Sequence, residues 1–297
     1  MLITSFLISS PSWKFIIILN LSLVCVFIVK LPRTLAVYPL DRRRGGRDIS
    51  RSRNPSARLI GVRYNQGPDG RRDGSVQFYG RRNSYVEIPN TGRLDARYSI
   101  TVLIWVYNEG RFGTILNYNP NRKGFQLRMI SRRVLQVVIA QRTRRRVITV
   151  RTRGRFMKYK AWNYVGVTYS ERQQTLTIRV NLKVVGKRRI GRLQLDTRRS
   201  IRLGSQRGNK NYFRGRLFCL QLYSEALSGK QINEAWKKCF LKGKYLYFVL
   251  LLLLQNRCFK ETLLYLFRYL IEQNDDWYLR LSQAIVIFKF VLLLSTL

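Results

Sequence analysis

Arginine dominates the chemistry available to this chain. Arg142, Arg144, Arg145 and Arg146 fall within five positions. Arg151, Arg153 and Arg155 follow at alternate positions, with Lys158 and Lys160 behind them, and Lys187, Arg188, Arg189 and Arg192 form a third cluster. A guanidinium is planar and permanently charged, and its fork of N–H donors matches a carboxylate, sulfate or phosphate bidentately. Alternate positions of a strand share a face, so Arg151, Arg153 and Arg155 would present three forks to one extended anion. The first cluster sits where a hairpin turn between two strands is expected. Such clusters bind through summed charge, with strong salt dependence. A solvated basic face is the plainer reading of the same residues.

Other reactive chemistry is scarce. The 297 residues contain no histidine, which removes Ser/His, Cys/His and His-ligand metal mechanisms together. Four cysteines without CxxC spacing exclude a zinc ribbon and a disulfide-dense scaffold. Of 56 basic and 15 acidic residues, ten and four lie at the two chain ends, which leaves 46 and 11 in 37–239. Only nine of those 46 are lysine, so the excess charge is specifically guanidinium. The acids are scattered through turns, and none form the paired carboxylates at alternate strand positions that glycoside hydrolysis needs. The chain therefore reads as non-catalytic. Asp69 and Asp73, around the turn Gly67-Pro68-Asp69-Gly70, are the best calcium ligands it offers. Asp-Gly is also ordinary turn chemistry, the preferred reading. Trp105 with Tyr107, and Trp162 with Tyr164, share strand faces and could stack on a sugar ring, but such rings fill sandwich cores equally well.

Short strands must position these side chains. Alternating or apolar runs bounded by turn residues predict strands at 59–64, 75–79, 84–88, 99–107, 114–118, 125–130, 134–140, 147–150, 162–169, 175–180, 200–203 and 216–223. So many strands without helical periodicity between them predict an all-β, antiparallel two-sheet sandwich. One helix is predicted at 229–238, with Ser228 and Gln231 in capping-box spacing and Ile232, Ala235 and Trp236 on one face. Cys219 on the last strand and Cys239 at the end of that helix would pair in an oxidising compartment and tie the helix down.

Both ends are hydrophobic. The apolar run from 15 to 29 has the length of a signal-peptide core rather than of a full membrane span, with cleavage expected after Ala36. Lys30, Arg33 and Arg42–Arg44 also fit an uncleaved anchor. The tail, 240–297, holds apolar runs broken by charge, none of them a clean span. It reads either as a membrane-associated helical hairpin or as an extension foreign to the domain. The expected organisation is thus a signal peptide or anchor at 1–36, a domain at 37–239 and a tail of undetermined status at 240–297.

Several phrases between Ala36 and Cys239 have a familiar order. They include Ala36-Val37-Tyr38-Pro39-Leu40, Asp73-Gly74-Ser75-Val76-Gln77-Phe78-Tyr79-Gly80 and Ser84-Tyr85-Val86-Glu87-Ile88-Pro89. Trp105-Val106-Tyr107, Trp162-Asn163-Tyr164-Val165-Gly166, Tyr212-Phe213-Arg214-Gly215-Arg216 and Ala226-Leu227-Ser228 continue the series. The stretch resembles the LamG-like jelly-roll domains of the concanavalin A-like lectin/glucanase superfamily, closest to those of cnidarian extracellular proteins. The resemblance implies two stacked antiparallel sheets and secretion or display on the outer face of the plasma membrane. It implies no single function, because that fold hosts lectins, glucanases and adhesion modules. Charge and fold together point to an extracellular, non-catalytic adhesion module meeting acidic or sulfated polysaccharide or matrix through arginines. A membrane-attached protein with the jelly roll as spacer is the alternative. Nucleic acid fits the charge but not the apolar leader, and no recognised nucleic-acid-binding motif occurs.

Overall fold

The computed structural model describes residues 31–240 except 111, 120–123, 144–145 and 209. The apolar leader to residue 30 and the tail beyond 240 lie outside the described residues. The chain divides into two compact units, Met1–Cys239 and Phe240–Leu297. Among the described residues no helix is long and apolar enough to cross a membrane.

Fifteen strands are present among the described residues of the first unit. In chain order they are β1 (Thr34–Tyr38), β2 (Arg58–Ile60), β3 (Arg63–Asn65), β4 (Ser75–Tyr79), β5 (Tyr85–Ile88), β6 (Ile100–Asn108), β7 (Gly113–Tyr118) and β8 (Phe125–Met129). Then come β9 (Leu135–Ala140), β10 (Val147–Arg151), β11 (Trp162–Ser170), β12 (Thr175–Val180), β13 (Lys183–Arg189), β14 (Ile201–Leu203) and β15 (Arg214–Tyr223). One antiparallel sheet runs β13-β12-β11-β6-β15-β4-β3, with β1 also on β15, and the other runs β10-β9-β8-β7-β14-β5-β2. This is the expected two-sheet jelly-roll sandwich.

Period-two alternation explains the stacking. In β6, Ile100, Val102, Ile104 and Val106 enter the core between the sheets, while Leu103 and Trp105 belong to a second cluster on the outer face. Burying each such core side chain contributes roughly 1.5–3 kcal/mol. The predicted strand at 59–64 is in fact two strands in different sheets, β2 on β5 and β3 on β4. Gly61 makes the crossing: its φ is +57, and a Cβ there would sit 1.7 Å from the Asn83 carbonyl oxygen. Two strands are additional to those expected. β1 begins at Thr34, so the bond after Ala36 lies inside a strand paired to β15. β13 has the sequence KVVGKRR, in which charge hides the strand signal.

The helix α1 (Gly229–Ala235) starts with the expected capping box, the Ser228 hydroxyl accepting from the Gln231 amide. It continues as a 3-10 turn, Trp236–Cys239, rather than as α-helix to 238. Leu227, Ile232 and Ala235 pack on Leu103, Tyr164 and Tyr223 over part of the outer sheet face. A bulge in β15 falls at Cys219, whose φ is +52. Its sulfur is bonded to Cys239, with the Cα atoms 5.7 Å apart. Gln221 donates to the Ala235 carbonyl at 2.8 Å, satisfying the helix end.

Two measurements test this account. Replacing Cys219 and Cys239 by alanine should cost about 3 kcal/mol, read as an earlier urea midpoint, because the bridge no longer restricts the unfolded chain. Burial holds the hydroxyls of Tyr38, Tyr118, Tyr164 and Tyr223 above the ordinary tyrosine range. A folded pKa above the unfolded one gives stability that is complete below about pH 10 and lost as pH rises beyond it. Urea midpoints should therefore be nearly flat from about pH 6 to 9, where no histidine titrates, and fall above about pH 10.

Candidate polyanion interface

The two arginine-rich segments meet because two edge strands do. β10 is the outer strand of one sheet and β13 the outer strand of the other. They lie side by side on one flank of the sandwich. Arg188 Nη1 donates to the Thr149 carbonyl on β10 at 3.3 Å. Gly186 faces the Arg151 carbonyl, which a Cβ on that glycine would approach to 3.7 Å. Residues more than 30 positions apart in sequence thus form one surface.

That surface is basic without internal compensation. Arg146, Arg151, Arg153 and Arg155 from the β10 side, and Lys183, Lys187, Arg188 and Arg189 from β13, are all exposed. Between Glu109 and Asp196 the sequence has a single acid, Glu171. Glu171 is paired with Arg192 at 3.7 Å. Lys183 was not among the expected contributors, because nothing in KVVGKRR marked it as an edge strand.

Two details differ from expectation. Arg142 does not stand with its neighbours in solvent. It turns inward, its Nη2 on Asp95 and its Nε donating to the Leu195 carbonyl at 3.1 Å. Asp95 also accepts from the Thr197 hydroxyl at 2.6 Å, so Arg142 clamps the loops around 95 and 197. Arg144 and Arg145 lie outside the described residues. The second difference concerns Arg151, Arg153 and Arg155. β10 ends at Arg151, and the Thr152 amide donates to the Leu135 carbonyl at 3.0 Å, while its hydroxyl accepts from the Leu135 amide at 3.2 Å. The alternation of exposed arginine with buried Thr152 survives, but only Arg151 belongs to a strand.

The remaining candidates are engaged by neighbouring side chains. Asp69 accepts from Arg71 Nε at 2.5 Å, and Asp73 from Arg42 Nη1 at 3.5 Å. The glycine amides of the turn close on the Arg71 carbonyl, Gly67 at 2.9 Å and Gly74 at 3.2 Å. No group of three or more acidic or cysteine side chains that could hold a metal ion exists among the described residues. Tyr118, Tyr164 and Tyr169 are buried. Trp105 packs on Tyr164 at 5.1 Å and on Trp236 at 6.1 Å. Tyr107 and Trp162 remain half-buried on the outer sheet face, edge to face at 5.4 Å, with the Arg216 guanidinium 4.2 Å from the Tyr107 centroid. Arg179, on the outer side of β12, is half-buried, and desolvation lowers its pKa. The joined edges thus present several guanidinium and ammonium groups on one exposed surface.

Comparison with known proteins agrees with this architecture. No curated protein matches the chain. Among solved structures, the binding domain of Paraclostridial Mosquitocidal Protein 1 superposes with a TM-score of 0.56 at 14% identity, covering 69% of this chain and 52% of that one. The ligand binding domain of botulinum neurotoxin serotype D, solved in complex with N-acetylneuraminic acid, gives 0.53 at 13% identity, covering 69% and 50%. The binding domain of serotype C1 gives 0.55 at 15%, covering 70% and 52%. The chain spans about half the length of these domains, and the likeness is one of fold. A family model, Laminin_G_3 of the concanavalin A-like lectin/glucanases superfamily, matches residues 80–233. The chain belongs to that family.

Proposed function

We propose that this protein is an extracellular, non-catalytic binding module that holds acidic glycans along the joined edges β10 and β13. The observation that carries the reading is the Arg188–Thr149 contact, which merges two basic clusters into one surface without an acid of its own. Guanidinium forks suit carboxylated or sulfated sugars, and a row of them on rigid strands meets a repeating anion at several points with little ordering cost. The solved relative that holds N-acetylneuraminic acid, a carboxylated sugar, supports a glycan partner. The Cys219–Cys239 bridge supports a secreted or cell-surface location, as the resemblance to cnidarian extracellular LamG-like proteins does. Matrix polysaccharide is the partner class that fits best.

The test is salt-gradient elution of the 31–240 segment, which contains the whole sandwich core and its disulfide, from immobilised heparin. The unsubstituted segment should elute well above physiological salt. A variant carrying Arg151→Ala, Lys187→Ala, Arg188→Ala and Arg189→Ala should elute clearly earlier, and an Arg81→Ala/Arg82→Ala control should not. Equal shifts in both would mean diffuse charge and no site at the edge. Arg142→Ala should separate the two roles of arginine. It should cost about 3 kcal/mol in urea unfolding, since it leaves Asp95 unpaired, and barely move the elution salt.

A further inference from the structure

Four aromatic side chains among the described residues stand largely in solvent: Tyr98, Phe112, Phe156 and Tyr159, at 53%, 52%, 44% and 43% exposure. Three of these belong to neighbouring loops at one end of the sandwich. Phe112 lies between β6 and β7, Phe156 and Tyr159 lie in 152–161 between β10 and β11, and the 130–134 turn between β8 and β9, which carries no aromatic, adjoins these two connections. Asn108, fully buried, ties all three together. Its carbonyl accepts from the Lys160 amide at 2.8 Å, its side chain donates to the Arg132 carbonyl at 2.7 Å, and its Oδ1 accepts from the Gly110 amide at 2.8 Å.

The longest loop is built to hold its aromatics outward. Met157 is buried in the core, and its amide donates to the Arg133 carbonyl at 3.4 Å. Buried Asn163 grips Lys158 from both sides, accepting from its amide at 2.8 Å and donating to its carbonyl at 3.0 Å. Phe156 and Tyr159 flank this anchored segment. The Tyr159 ring lies against Gly110, where a Cβ would come within 2.8 Å of it. Hydrophobic burial would ordinarily remove such rings from water, so the anchored display of Phe156 and Tyr159, with Phe112 exposed at the same end, invites a surface to receive them.

Charge defines that surface. Arg132, Arg133, Arg153, Arg155, Lys158 and Lys160 are exposed on the same loops. The one acid there, Glu109, is held by Gln77 at 3.1 Å and by Arg214 at 3.4 Å. Aromatic rings settle at the headgroup level of a bilayer, and surrounding basic side chains are drawn to anionic headgroups while their stems lie along the apolar layer. We infer that this end of the sandwich docks on a bilayer surface bearing anionic headgroups, with Phe112, Phe156 and Tyr159 entering the interfacial layer. Single-stranded nucleic acid also pairs bases with aromatic rings, but it is tracked along a charged groove, whereas these rings sit on loop tips. The two readings share Arg153 and Arg155 but are separable, because only this one requires the aromatic rings.

The test uses the full chain and a probe local to the loop, so that any binding by the chain ends does not register. Phe156→Trp and, independently, Tyr159→Trp chains are mixed with vesicles of phosphatidylcholine and phosphatidylserine whose acyl chains are brominated. Tryptophan quenching in excess of the unsubstituted chain, with a blue shift in emission, is expected for both. It should weaken on vesicles of phosphatidylcholine alone and after Arg132→Ala, Arg133→Ala and Lys158→Ala are added. The Phe112→Ser/Phe156→Ser/Tyr159→Ser chain should keep its elution salt on heparin, so the two readings fail separately. No excess quenching at either position, whether or not the chain binds the vesicles, overturns the inference. So does a tryptophan response to single-stranded oligonucleotide but none to vesicles.

Discussion

A chain with 56 basic and 15 acidic side chains must fold against its own repulsion. Its few carboxylates are mostly committed to ion pairs. At least eight of the 11 acids in 37–239 are in ion pairs with arginine among the described residues. Several of these pairs are joints of the fold. Asp41, almost fully buried, takes both Arg44 and Arg71, drawing the first loop onto the turn before β4. Glu87 on β5 holds Arg202 across the strand pair to β14, with the guanidinium 3.9 Å from the centroid of Tyr85. Desolvation offsets much of the Coulomb gain of such pairs, and Arg71 Nη2 and Arg202 Nε are buried without a hydrogen-bond partner.

With most acids committed to such pairs, many of the remaining arginines face water, and a dense group of them lies on the edge strands β10 and β13. β10 and β13 are sheet edges with unpaired backbone groups, and edge strands invite association with other chains. Lysine and arginine along them oppose that pairing through like-charge repulsion. The same placement makes them available to an extended anion, so protection of the edge and capture of a ligand draw on one arrangement of charge. Family membership narrows this little, since the fold carries many functions and the site must be argued from its own side chains.

Much of the scaffold was legible from residue order. Alternating apolar positions located β4 to β12, β14 and β15 to within about two residues, because one face of each must meet the core. Ser228 and Gln231 marked the helix start through a purely local hydrogen-bond pattern. Cys219 and Cys239 could be paired because both ends of the intervening segment were recognised. Where β13, β2 and β3 depart from that reading, the reasons are physical. β13 is exposed at nearly every position, so no apolar alternation remains to be read. β2 and β3 are three residues each and are joined through Gly61, which sends one run into two sheets.

Arg142 shows where residue type stops being informative. Beside Arg144, Arg145 and Arg146 it looks like one more surface cation, yet Asp95, 47 positions earlier, turns it into a structural clamp. The sequence by itself determined the class of fold, the excess of guanidinium and the lack of histidine, since these follow from local periodicity and composition. Only tertiary structure decided which arginines are held inside and which face solvent. It also brought β10 beside β13 and gathered Phe112, Phe156 and Tyr159 at one end, because those outcomes depend on contacts between residues far apart in the chain.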